Sequence, residues 1–122
     1  KEQNSESVSL WGDGNTTRDF LYVKDAVRGL ITAAEKYDEV SPINLGSDQE
    51  ITIKELANLI SDIIDFKGKI KWDTSKPNGQ PRRKVSNKLA EEKLGFKAEI
   101  TLEQGLRKTI EWYNGYYKNN KI

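Results

Sequence analysis

Two four-residue signatures set the frame of this chain. Thr52-Ile-Lys-Glu55 and Thr101-Leu-Glu-Gln104 are capping boxes, in which a hydroxyl and a carboxylate or amide reciprocally satisfy backbone amides that a helix start leaves unpaired. Each commits the residues behind it to a helix with a known first turn. Behind the first, Ile53, Leu56, Ala57, Ile60, Ile63 and Ile64 keep helical spacing to about Asp65. Behind the second, Leu102, Leu106, Ile110, Tyr113 and Tyr117 line an apolar face as far as Tyr117. Ala26, Val27, Leu30, Ile31, Ala34 and Tyr37 mark a third helix over 24–37. Asp25 sits in its first turn, where a carboxylate suits the positive helix end. A fourth, short helix runs from a Ser86 cap to Leu94, with Gly95 as its stop.

Between these helices the β signals are brief. Ser7–Trp11 reads as a strand ended by the turn Gly12-Asp13-Gly14-Asn15. Phe20–Val23 and Ile43–Gly46 are short extended runs, and Lys69–Asp73 alternates like a strand. Helices alternating with strands give the α/β class. The strands are few, more like the edge of a larger domain than a complete sheet. The 122 residues suffice for a single domain over 1–122, and the polar ends, 1–6 and 118–122, are expected to be disordered.

Composition removes whole classes of chemistry. There is no cysteine and no histidine, so disulfides, thiolate metal sites, thiol catalysis and the commonest general base are excluded. Lys+Arg 20 against Asp+Glu 19 leaves a net charge of +1, which argues against a general nucleic-acid binder. No apolar run approaches the ~18 residues of a membrane span, and no signal-peptide core opens the chain, so a cytoplasmic location is expected. The chain begins with Lys1 and contains no methionine, as expected of a piece cut from a longer protein.

What remains informative is Ser75-Lys-Pro-Asn-Gly-Gln-Pro-Arg-Arg-Lys84, which holds the cations Lys76, Arg82, Arg83 and Lys84 and no acid. Prolines stiffen it, Asn78-Gly79 permits a tight turn, and adjacent guanidinium groups on a stiff loop suit a diphosphate. A solvated basic loop of no function is the plainer reading of the same residues. Trp11 and Arg18, either side of the Gly12–Asn15 turn, could supply a second arm around an anion. Trp11 could equally be a core residue, and Arg18-Asp19 a surface ion pair. Gly12-Asp-Gly14 lacks both the third glycine of a dinucleotide fingerprint and the Gly-Lys-Ser/Thr ending of a phosphate loop. Tyr117-Lys-Asn-Asn-Lys121 has the Tyr-x-x-x-Lys spacing of a dehydrogenase proton-transfer pair, but it falls in a polar tail and is rejected as catalytic.

Taken in order, seven segments resemble the extended short-chain dehydrogenase/reductases that act on nucleotide sugars, in particular the GDP-L-fucose synthase-like branch of the NAD-dependent epimerase/dehydratase family. They are Leu10-Trp-Gly-Asp-Gly14, Arg18-Asp-Phe-Leu-Tyr-Val-Lys-Asp25, Pro42-Ile-Asn-Leu-Gly-Ser47, Ile51-Thr-Ile-Lys-Glu-Leu-Ala57, Trp72-Asp-Thr-Ser-Lys-Pro-Asn-Gly-Gln-Pro-Arg-Arg83, Leu94-Gly-Phe96 and Thr101-Leu-Glu-Gln-Gly-Leu106.

The resemblance implies the small C-terminal substrate-binding domain of such an enzyme, with the Rossmann half absent. It implies that Trp11 and Arg18 contact the substrate, and that Arg83 binds the diphosphate with Lys76 and Arg82 nearby. Asn78 falls where the branch often has aspartate and is counted with the substrate-binding residues; if that aspartate helps select the base, the guanine preference is weaker here. NAD or NADP belongs to the parent enzyme, and this chain is expected to hold no cofactor, no metal and no catalytic residue. The implied partners are a nucleotide-diphosphate sugar and the N-terminal Rossmann domain of the same parent, against which the helix at 24–37 and the strand at 43–46 would pack. The oligomeric state of the parent stays open, a homodimer being one arrangement, and neither membrane nor nucleic acid is expected to be involved. The rival is a free-standing, non-enzymatic module whose basic loop 74–84 engages an acidic protein or a nucleic acid.

Overall fold

The computed structural model describes residues 5–119. Of the ends expected to be disordered, 1–4 and 120–122 lie outside the described residues, whereas Lys118 and Asn119 continue the last helix. Where the sequence reads as one domain, the backbone groups into two compact units interleaved along the chain. The first holds the residues up to Asp19 and Gln49–Val85; the second holds Phe20–Asp48 and the residues from Ser86 onward.

In the first unit β1 (Ser7–Trp11) pairs in parallel with β4 (Lys69–Asp73), in a register that sets Ser7 beside Lys69 and Trp11 beside Asp73. A second sheet has the strand order β3 (Glu50–Thr52), β2 (Thr17–Asp19), β5 (Arg82–Arg83). Only β1 and β4 are legible from alternation; the others are too short to show a period. The extended run expected at Phe20–Val23 is displaced toward the N-terminus, because Val23 already begins a helix.

Thr52 is both the end of β3 and the cap of α2 (Ile53–Ile63), and its capping box is complete. Two further amides of that first turn, Ile53 and Lys54, donate to the carbonyls of Thr16 and Gly14 at 2.9 Å each. The Gly12–Asn15 turn is therefore docked onto a helix start. Ile53, Leu56, Ala57 and Ile60 of α2 and Ile64 just beyond it line an open groove of about 390 Å³ with Val8, Leu10 and Ile70 of the strands and with Phe66.

The second unit is helical: α1 (Val23–Lys36), α3 (Lys88–Leu94) and α4 (Leu102–Asn119). Its core is Ala90, Leu94 and Phe96, with Leu21, Ala33, Tyr37, Ile43 and Leu45 against it. Gly29 lets α1 approach this core, since a Cβ there would come within 2.8 Å of Leu45 and 2.9 Å of Phe96. Asp25 does more than face the helix end. Only 3% exposed, it accepts hydrogen bonds from the amides of Glu99 (3.0 Å) and Ile100 (2.9 Å) and from Arg28 (3.0 Å). Burial pushes its carboxyl up, but the Ile100 amide, Arg28 and the Glu99 amide outweigh it and leave the group below its ordinary value. With Asp25 and Gly29 buried, the apolar stripe of α1 faces outward: Val23 and Leu30 are each 63% exposed, and Val27 and Ile31 are exposed beside them. α4 opens on its expected capping box, Thr101 and Gln104 each accepting from the other's amide, and continues two residues past Tyr117.

Two expectations are corrected in this unit. Ile43–Gly46 forms no strand ladder. The Asn87 side chain takes its place, accepting from the Gly46 amide at 2.6 Å and donating back to the Gly46 carbonyl. That leaves Asn87, not Ser86, as the N-cap position of α3, and without a side-chain cap bond. The Ser86 hydroxyl accepts from the Lys88 amide only at 3.4 Å. Gly95 does end the helix in the left-handed region, at φ 64°.

Asn87 is 5% exposed, so Asn87→Ala strands a buried amide and a buried carbonyl and should cost about 2–4 kcal/mol. Ser86→Ala should cost about 0.5 kcal/mol or less. Urea unfolding of the two variants tests this ordering; equal losses would refute it.

Candidate functional site

All six residues singled out from the sequence, Trp11, Arg18, Lys76, Asn78, Arg82 and Arg83, fall in the first unit. The segment from Thr74 to Pro81, which carries Lys76 and Asn78 and leads into Arg82 and Arg83, is not a loose basic loop. The Lys76 amide donates to the Asp73 carbonyl at 3.1 Å, and the Thr17 amide to the Pro81 carbonyl at 2.9 Å. Asp73 also accepts from both the amide and the hydroxyl of Ser75. Between those ends Asn78 Oδ1 accepts from the Asp13 amide at 2.7 Å, and Arg18 Nη1 donates to the Gln80 carbonyl at 2.9 Å and to the Thr17 carbonyl at 2.7 Å. A polar segment held at each of these points has lost the conformational freedom of a solvated loop.

The Gly-x-Gly turn has a packing reason. A Cβ on Gly12 would lie 2.1 Å from Asn78 Oδ1, and one on Gly14 would lie 2.7 Å from the Trp72 ring; both glycines have positive φ. They clear room for those two side chains. The turn then runs into β2 and not into a helix N-terminus, so it lacks the strand–turn–helix setting of a dinucleotide loop.

Strand register decides where the cations go. Residues paired across neighbouring strands share a face, and consecutive residues alternate. Thr17 pairs with Thr52 and Arg82, and Asp19 pairs with Glu50; Arg18 pairs with Ile51 and Arg83. One face therefore carries Glu50, Thr17 and Arg82, and the other carries Arg18 and Arg83. On the first face Arg82 Nε and Nη2 donate to the two Glu50 carboxylate oxygens at 2.7 and 2.8 Å, and the Thr17 hydroxyl donates to Glu50 Oε1 at 2.5 Å. These contacts, Arg82's first, pull the Glu50 carboxyl down from 4.5 to about 2, with Lys84 contributing charge.

On the second face Arg83 is exposed and has no side-chain hydrogen bond or ion pair among the described residues. Trp11 is 70% exposed, which removes the core reading, and the Lys76 ammonium lies 5.9 Å from its ring centroid. Asn78 is committed to the Gly12–Asp13 backbone. Glu50 and Thr17 were not singled out from the sequence: Glu50-Ile-Thr52 is too short to read as a strand, and its partner is 32 residues away. Among the described residues no cluster of three acidic side chains could hold a metal ion, and no helix is long and apolar enough to cross a membrane.

Comparison with known proteins then decides the family. The NAD dependent epimerase/dehydratase family model matches residues 1–46. GDP-L-fucose synthase 1 of Arabidopsis thaliana is 40% identical over 114 residues, 93% of this chain and 35% of that protein. A GDP-L-fucose synthetase from Naegleria fowleri bound to NADP superposes with a TM-score of 0.86 at 32% identity, covering 98% of this chain and 38% of that one. The chain belongs to the NAD dependent epimerase/dehydratase family. UDP-glucose 4-epimerase from Thermotoga maritima, solved with UDP-glucose, superposes with a TM-score of 0.82 at 29% identity over 90% of this chain and 35% of that one. The small α/β fold matches the C-terminal portions of such epimerase and reductase structures, and the chain spans about a third of the length of the curated relatives it matches.

Two outcomes are expected at this site. The stability that Glu50 contributes should be fully present above 4.5, the ordinary glutamate value, and lost progressively as pH falls from there through about 2; following the Arg82 Nε–H resonance through an acid titration checks it. Asp13 is held below its ordinary value first by the Asn15 amide and then, against some desolvation, by Asn78. Asn78→Asp sets a second carboxylate against it, so the Asp13 titration measured by carboxylate NMR should move up; an unmoved Asp13 would contradict the contact.

Proposed function

We propose that this chain is the nucleotide-sugar-binding part of an NAD(P)-dependent epimerase/reductase acting on a GDP-sugar. The single observation that carries the reading is the register of β2 and β5, which sets Arg18 and Arg83 side by side on the face opposite the Glu50–Arg82 pair. Two arginines paired across neighbouring strands, one with its guanidinium already braced by the Thr17 and Gln80 carbonyls, offer the charge and the paired donors that a diphosphate takes. Lys76 and Trp11 extend the site with a cation and an exposed aromatic face. Asn78 shapes the turn that separates Trp11 from Arg18.

The described residues do not fit NAD(P): the only Gly-x-Gly turn leads into a strand, and no dinucleotide fingerprint occurs elsewhere in the sequence. The chain's own residues bind and orient; the Naegleria fowleri relative was solved with NADP, and redox chemistry at the sugar, with or without epimerisation, belongs to the parent protein in this reading. The outward apolar stripe of α1 is then the face that the parent's cofactor-binding half covers, and the cytoplasm is the compartment that supplies substrate and cofactor.

The test is an NMR titration of the isotope-labelled chain with GDP and then UDP. Saturable shifts at the Trp11 indole, Arg18 and the amides of 75–84 are expected, with GDP the tighter ligand. Arg83→Ala should weaken GDP about 10- to 100-fold, the range for losing a charge-assisted hydrogen-bond donor. Absence of shifts in a folded sample would sink the proposal that this chain binds by itself. Steep salt dependence with RNA or an acidic peptide, and none with GDP, would favour the interaction-module rival. With GDP-sugar and NAD(P)H added, the chain by itself should give no turnover.

A further inference from the structure

We infer that Glu50 is a positioning residue for the anion site: with Arg82 it straps the three-stranded sheet across its outer strands, so that Arg83 is held beside Arg18, and Arg82 serves the strap and not the ligand. The inference rests on reading Arg18 and Arg83 as the diphosphate-binding pair.

The strand order is β3, β2, β5. Glu50 on β3 and Arg82 on β5 therefore meet only by reaching over the central strand, and the Thr17 hydroxyl on that strand joins the same carboxylate. β5 is two residues long, too short for its own ladder to hold it firmly. A bidentate guanidinium–carboxylate pair fixes two parallel hydrogen bonds in one plane and so fixes the direction of the Arg82 side chain. Because consecutive strand residues point to opposite faces, fixing Arg82 on one face aims Arg83 on the other. Arg82 is at the same time a poor anion ligand, since a carboxylate already occupies its Nε–Nη2 edge and would repel a phosphate approaching there.

The decisive experiment is a charge swap. Glu50→Gln should weaken GDP binding to the chain at least 5-fold, and Arg82→Ala should do the same. Neither should add to the loss in an Arg83→Ala background, because both act through Arg83; additive losses would mean general destabilisation and overturn the inference. The double variant Glu50→Arg/Arg82→Glu restores the strap with its ends exchanged and should recover GDP binding to within about 3-fold. If Arg82 itself held the diphosphate, that swap would put a carboxylate in the site and binding would collapse. Should the wild-type chain not bind GDP, the functional proposal fails, and the strap is judged without ligand. Hydrogen exchange of the Thr17 amide, which bonds the Pro81 carbonyl, should then quicken in Glu50→Gln and return to the wild-type rate in the swap. An unchanged rate in Glu50→Gln would refute the strap.

Discussion

Strands of three, three and two residues do not make a durable sheet by backbone pairing, and β3, β2 and β5 owe their closure to one carboxylate. Glu50 receives two hydrogen bonds from Arg82 and one from Thr17, so a single side chain touches all three strands. The cost of ordering these groups is offset because the hydrogen bonds are charge-assisted and the guanidinium is pre-shaped for the carboxylate. The proposed pairing of Arg83 with Arg18 depends on that closure, because Arg83 has no tether of its own among the described residues.

The same device recurs through both units. Where backbone has no ladder partner, an amide or carboxylate side chain from a distant segment stands in. Asn78 grips the Gly12–Asp13 backbone, Asn87 takes both polar groups of Gly46, and Asp25 collects the amides of Glu99 and Ile100. A chain with so few strands still has to satisfy its buried backbone polar groups, and these side chains do it. Their charge behaviour follows: Asp25 and Glu50 are held ionised below their ordinary range by donors aimed at them.

The packing of α1 inverts the usual expectation for an amphipathic helix. Its unit buries Asp25 and the bare face of Gly29, while Val23, Val27, Leu30 and Ile31 look outward. A contiguous apolar stripe left exposed in this way is a candidate interaction surface.

The local code of the sequence determined a good deal by itself. Hydroxyl-x-x-acid and hydroxyl-x-x-amide spacing fixed where α2 and α4 start, Gly95 fixed where α3 stops, and alternation over five residues gave β1 and β4. These are decisions among neighbours in the chain, so neighbours suffice to read them. The order of seven short segments also pointed to the family, and the proline-stiffened cations suggested the diphosphate site proposed above. Three things needed the tertiary structure: the strands of two and three residues, the replacement of a ladder at Gly46 by Asn87, and the separation of two adjacent arginines into a strap and a free cation. Arg82 and Arg83 are chemically identical in the sequence. They differ only because strand pairing turns one toward a glutamate 32 residues away and the other toward Arg18, a long-range contact that no periodicity in either segment announces.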